Sequence, residues 1–98
     1  MQVKVDRSAR RHIEDAGGIL TLEARAKTGG CLIRTHLVAR VGKPQEPALF
    51  DELAVGRLRI FTRGVLERAD GGIQPTHGAL PKKIRVRVRE GALVAEAA

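Results

Sequence analysis

The residue best suited to chemistry is Cys31, the only cysteine, which follows Gly29-Gly30 at the end of a stretch of alternating polarity. Glycines let a backbone adopt positive φ or approach a ligand closely. A thiol on such a loop can serve as a metal ligand, a nucleophile or a redox-sensitive group. A free cysteine is also used as a small buried apolar residue, and the sequence leaves these roles open. Arg25, Lys27 and Arg34 lie near Cys31 in the chain. Gathered in space, they would lower the thiol pKa and favour the thiolate.

His12, His36 and His77 are the other soft ligands. They show no metal-ligand spacing with one another or with Cys31. His36 and His77 are the secondary ligand candidates beside Cys31, with Gly29 and Gly30 as its loop. A second candidate site is the row Arg85, Arg87 and Arg89, which places its guanidinium groups on one face of a strand. Such a row can bind phosphates, or it can form a solvated face that blunts a sheet edge. No nucleophile elbow, phosphate loop or paired-carboxylate motif occurs. No companion base for Cys31 is evident, so the residues give no positive sign of an enzyme.

The elements that must position these residues follow from hydrophobic periodicity. Val3 and Val5 form a short lead-in strand. Asp6, with Ser8 as an alternative, caps a helix over residues 7–16, in which Ala9, Ile13 and Ala16 recur at helical spacing and Gly17-Gly18 ends the run. The period then becomes two. Leu20, Leu22, Ala24 and Ala26 share one face, and Thr21, Glu23 and Arg25 the other, until Thr28-Gly29-Gly30-Cys31 breaks the pattern. Ile33 to Val41 is the next strand, with Ile33, Thr35 and Leu37 opposite His36, and Gly42-Lys43-Pro44 ends it. Residues 43–52 read as a loop. Leu53-Ala54-Val55 and Leu58-Arg59-Ile60-Phe61 form a hairpin around Gly56-Arg57. Gly64 to Ala69 reads as a helical turn, Asp70-Gly71-Gly72 as a tight turn, and residues 75–81 as irregular. Ile84, Val86 and Val88 alternate strictly with basic residues, and Glu90-Gly91 turns into Leu93-Val94-Ala95. The pattern predicts one α+β domain over residues 1–98, with one N-terminal helix and a mainly antiparallel or mixed sheet.

Composition sets the bounds. Hydrophobic residues make up 43% and charged residues 30% of the 98-residue chain, which is globular in balance. No apolar run is long enough to span a bilayer, and the first residues lack the apolar region of a signal peptide. A lone cysteine cannot form an internal disulfide, so the cytoplasm is the expected compartment. The net charge of +7 raises the prospect of an anionic partner. An Arg-rich, Asn-free composition also arises from biased codon usage. Aromatic content is 2%, and Phe50 and Phe61 make no base-stacking platform. Specific nucleic-acid binding is therefore not expected.

Taken together, the elements resemble the HesB/IscA-type family of A-type iron–sulfur carriers, and more closely the small HesB-like proteins with a Cys-Cys or Cys-selenocysteine motif. The resemblance runs from about residue 3 to residue 95. It rests on the opening Val-x-Val-Asp with its helix, on Gly17-Gly18-Ile19-Leu20-Thr21-Leu22, and on Gly29-Gly30-Cys31. It continues through Val41-Gly42-Lys43-Pro44, Phe50-Asp51, Gly56-Arg57-Leu58-Arg59-Ile60-Phe61 and Asp70-Gly71-Gly72-Ile73. The resemblance implies a β-rich fold, often dimeric, that binds or delivers iron or iron–sulfur clusters through cysteine thiolates, with Cys31 at the position of the first cysteine. Leu32 stands where the Cys-Cys type has its second thiol or selenol, and no Cys-x-Cys pair occurs in the 98 residues. The expected function is a non-enzymatic, degenerate iron–sulfur cluster or metal carrier or scaffold acting through Cys31, as a homodimer and with iron–sulfur assembly proteins as partners. The alternatives are a basic binding module for an acidic protein or nucleic acid, and a thiol-based redox sensor or enzyme.

Overall fold

Alternation and helical spacing resolve, in a computed structural model, into one helix flanked by strands. Residues 2–29, 32–76 and 80–98 are described. Strand β1 (Gln2–Val5) leads into helix α1 (Arg7–Asp15). Ala9 and Ile13, one turn apart, are fully buried on its inner face. Asp6 holds the N-cap position but makes no side-chain cap bond. Its carboxylate instead accepts hydrogen bonds from Nε and an Nη of Arg85, at 3.1 and 3.0 Å. Ser8 lies inside the helix. The helix ends in a Schellman arrangement: the Gly18 amide donates to Ile13 (2.8 Å) and the Gly17 amide to Glu14 (3.1 Å). Gly17 and Gly18 have φ of 117° and 80°, values that strongly favour residues without a Cβ.

Strands β2 (Ile19–Gly29), β3 (Leu32–Val41), β4 (Asp51–Val55) and β5 (Leu58–Glu67) build a sheet ordered β3-β2-β5-β4, with β6 (Ile73–Pro75) added to β5. β2 runs antiparallel to β3 and parallel to β5. A second sheet is ordered β1-β7-β8, where β7 is Lys83–Arg89 and β8 is Ala92–Ala97. β1 is parallel to β7 and β8 is antiparallel to it. The domain is thus a small α+β fold with mixed sheets. Its core joins both sheets to the helix. Val3 and Val5, Ala9 and Ile13, Leu20 and Leu22, Leu58 and Ile60, and Ile84 and Val86 form one buried cluster. β1, β2, β5 and β7 each contribute alternate residues, as a strand with a buried face must.

Three local expectations change. Gly64 to Ala69 is not a helical turn, because β5 continues through Glu67. The segment pairs with β2 on one side, as far as Lys27↔Glu67, and with β6 on the other. Hydrogen bonds to two neighbours and the buried, β-branched Val65 override local helical tendency. β2 runs past Thr28 to Gly29. The loop after Pro44 contains a short 3₁₀ turn, Pro47–Leu49, and Asp51 already belongs to β4.

The face of β2 opposite the core is also covered. Thr21 is 2% and Glu23 6% exposed. The cause is β2's central place in its sheet, together with the segment 42–50 folding back over it. Thr21 Oγ1 donates to the Gly42 carbonyl at 2.8 Å, Pro44 is buried and Phe50 half-buried. No described helix is long and apolar enough to cross a membrane.

Candidate functional site

In the chain, Cys31 falls between β2 and β3, which form an antiparallel pair. The register of that pair sets Gly29 against Leu32, Lys27 against Arg34, and Arg25 against His36. Gly30, Cys31 and His77 lie outside the described residues. His36 is exposed, across from Arg25, and His12 is exposed on the last turn of α1. Arg25 is already engaged by Glu23 and, at 3.5 Å, by Glu67. No group of three or more His, Cys, Asp or Glu residues that could hold a metal ion is found among the described residues.

The arginine row of β7 is largely paired. Arg85 holds Asp6, and Arg87 forms an ion pair with Glu96 of β8. Arg85 lowers the Asp6 carboxyl below its ordinary range, chiefly through its hydrogen bonds. Arg89 stays exposed, without an ion-pair partner among the described residues. Two of the three anion-binding candidates therefore already have carboxylate partners in the fold.

A different constellation lies on the covered face of β2. Glu23, whose side chain is 8% exposed, accepts from Arg25 Nε at 2.5 Å on one oxygen and from Arg63 Nε and an Nη, at 3.2 and 2.8 Å, on the other. The register explains the meeting, since Glu23 of β2 is the Cα partner of Arg63 of β5, so the two side chains leave the same face. Arg63 also stacks on Phe50, 4.8 Å from the ring centroid. Burial works against the charged form of Glu23, but the hydrogen bonds and charges of Arg25 and Arg63 outweigh it and hold the carboxyl below the usual range. Glu23 in turn raises the pKa of Arg25. The cluster floors a hollow of about 280 Å³, with Arg40, Gln45 and Phe50 among its walls. An adjoining hollow of about 90 Å³ shares Arg40 and Gln45 and adds Lys43. Sequence reading missed this site because Glu23 and Arg63 are 40 residues apart. The one local signal was Glu23 and Arg25 sharing a strand face.

The fold is a small mixed-sheet α+β domain whose one cysteine falls, in sequence, between the paired Gly29 and Leu32. The chain belongs to the CC/Se motif containing family, whose model matches residues 1–87. No match was found among curated proteins or among solved structures.

Proposed function

We propose that this chain is a non-enzymatic, HesB/IscA-like carrier or scaffold with a reduced cysteine set, which takes iron, an iron–sulfur cluster or a related soft metal as cargo through Cys31. The observation that carries this reading is membership of a family described by a CC/Se motif, combined with retention of a single cysteine followed by Leu32. The hairpin register supports it: Gly29 and Leu32, which flank residues 30 and 31, are paired, so both strands run up to the cysteine segment. A thiolate is the ligand that iron–sulfur clusters and soft metals favour.

One thiolate per chain limits what can be held. A cluster ordinarily takes four cysteine ligands, so two chains of this protein supply half the set. The reading therefore includes a homodimer in which two copies of Cys31 converge, with the remaining ligands drawn from histidine, carboxylate, water or a small thiol. His36 and His77 remain the histidine candidates. Anaerobic reconstitution with iron and sulfide tests this limit. The expected product retains no stable cluster after desalting, as read by visible absorption and by iron and sulfide content. A stable brown product with stoichiometric iron and sulfide, lost on Cys31→Ala, would overturn the idea of a reduced ligand set.

A further inference from the structure

We propose that the cleft over β2 is a binding site for a small oxyanion-bearing ligand, a carboxylate or a phosphate ester, with Arg40 as its primary contact. The cleft lies on the face of the sheet that the core does not use, and residues 42–50 wall it. Four cations, Arg25, Arg40, Lys43 and Arg63, line the two adjoining hollows against two carboxylates, Glu23 and Glu46. Arg40 is exposed and has no counter-ion among the described residues. It is also shared by both hollows, which places it where a ligand in either would meet it.

Two of the other three cations are already held in place. Arg63 is fixed by two hydrogen bonds to Glu23 and by its stack on Phe50. Arg25 is fixed by Glu23, with Glu67 behind it. Glu23 is thus the orienting carboxylate for two guanidinium groups, which together carry one more unit of charge than it does. A guanidinium carries five N–H donors. Two of Arg63's are used on Glu23, and Arg40 spends none of its own on an ion pair among the described residues. Donors held in advance lose little rotamer freedom on binding, and guanidinium forks match the geometry of carboxylate and phosphate oxygens. The volume, about 280 Å³, suits a small metabolite-sized anion rather than a polymer. Glu46, which also lines the larger hollow, opposes a dense negative charge, so a small mono- or dianion fits better than a polyanion.

Titration of the whole protein with inorganic phosphate and, separately, with succinate tests the site. Amide NMR shifts would locate binding, and calorimetry would quantify it. Saturable binding of at least one probe is expected, with a dissociation constant on the order of 1 mM or tighter and with shifts centred on Glu23, Arg40 and Gln45. Arg40→Ala should weaken binding about tenfold, whereas Arg10→Ala, which removes the same charge from the outer face of α1, should leave it unchanged. Saturation by phosphate alone or by succinate alone would support the site and name the oxyanion. No saturation with either probe, or equal weakening by Arg40→Ala and Arg10→Ala, would show only diffuse attraction to a basic protein and would overturn the proposal.

Discussion

Replacing Glu23 with glutamine is expected to lower the melting temperature by about 10–15 °C near neutral pH. The substitution keeps the volume but removes the charge to which Arg25 and Arg63 are anchored. Breaking a fully buried ion pair costs about 3–5 kcal/mol. Arg25 is 46% and Arg63 21% exposed, so water recovers part of that and about 2 kcal/mol is the expected loss. For a domain of this size each kcal/mol corresponds to about 4–8 °C. The pH dependence has a definite sign. The folded-state pKa of Glu23 lies below its ordinary value of 4.5, so its contribution is complete above that value and is lost as pH falls through the lowered one. Asp6 and Glu52 are lowered in the same direction by Arg85 and Arg59 and belong to the same acid window. The gap between wild type and Glu23→Gln should therefore close as the solution is acidified. Thermal melts across the acid range would read this. A gap that stayed constant to the lowest pH, or a Glu23→Gln protein as stable as wild type at neutral pH, would contradict the clamp.

Leu20→Ala should be more damaging still. Leu20 is 0% exposed, sits in the central strand, and is the register partner of Val41 on one side and Ile60 on the other. Its side chain belongs to the cluster that joins both sheets to α1. Truncation there costs about 3–4 kcal/mol, from lost transfer energy and from the cavity left behind. That is a large part of a total on the order of 5–15 kcal/mol. Val38→Ala is the contrast, because Val38 lies on the outer face of β3 and is 39% exposed. Its cost should stay below about 1 kcal/mol. Urea denaturation of the two variants separates them. Equal costs would mean that the inner and outer faces of this sheet are wrongly assigned.

Much of the fold is legible in local pattern. The alternation of Ile84, Val86 and Val88 gives β7, and that of Leu20, Leu22, Ala24 and Ala26 gives the core face of β2, because a strand with one buried face must alternate. Ala9, Ile13 and the glycine pair give α1 for the corresponding helical reason. What escaped is non-local. Asp6 looks like a helix cap, yet its carboxylate meets Arg85, 79 residues away. Val65 sits in a stretch with helical tendency that becomes strand because β2 and β6 bracket it. The parallel pairings β1 with β7 and β2 with β5 leave no short-range signature. The cleft depends on the second of these, since that pairing brings Glu23 to Arg63. Of the candidate site residues, the sequence located the Arg85 row correctly on one strand but not its carboxylate partners, which come from Asp6 and Glu96.

The hairpin and the cleft are separate parts of one sheet. β2 ends at Gly29, two residues before Cys31 in the chain, and carries the Glu23 clamp near its middle, so the strand that precedes the cysteine is anchored by buried charge as well as by core packing. Zinc serves as a redox-silent stand-in for the proposed cargo of the Cys31 thiol. The most direct test is an equilibrium zinc titration of the reduced protein against a competing chelator dye, for wild type and Cys31→Ser, with light scattering on the same samples. Wild type should bind about half an equivalent of zinc per chain, as a dimer, and Cys31→Ser should lose that uptake while retaining the fold. Zinc uptake that is unchanged by Cys31→Ser, or absent from wild type, would contradict the proposed role of Cys31.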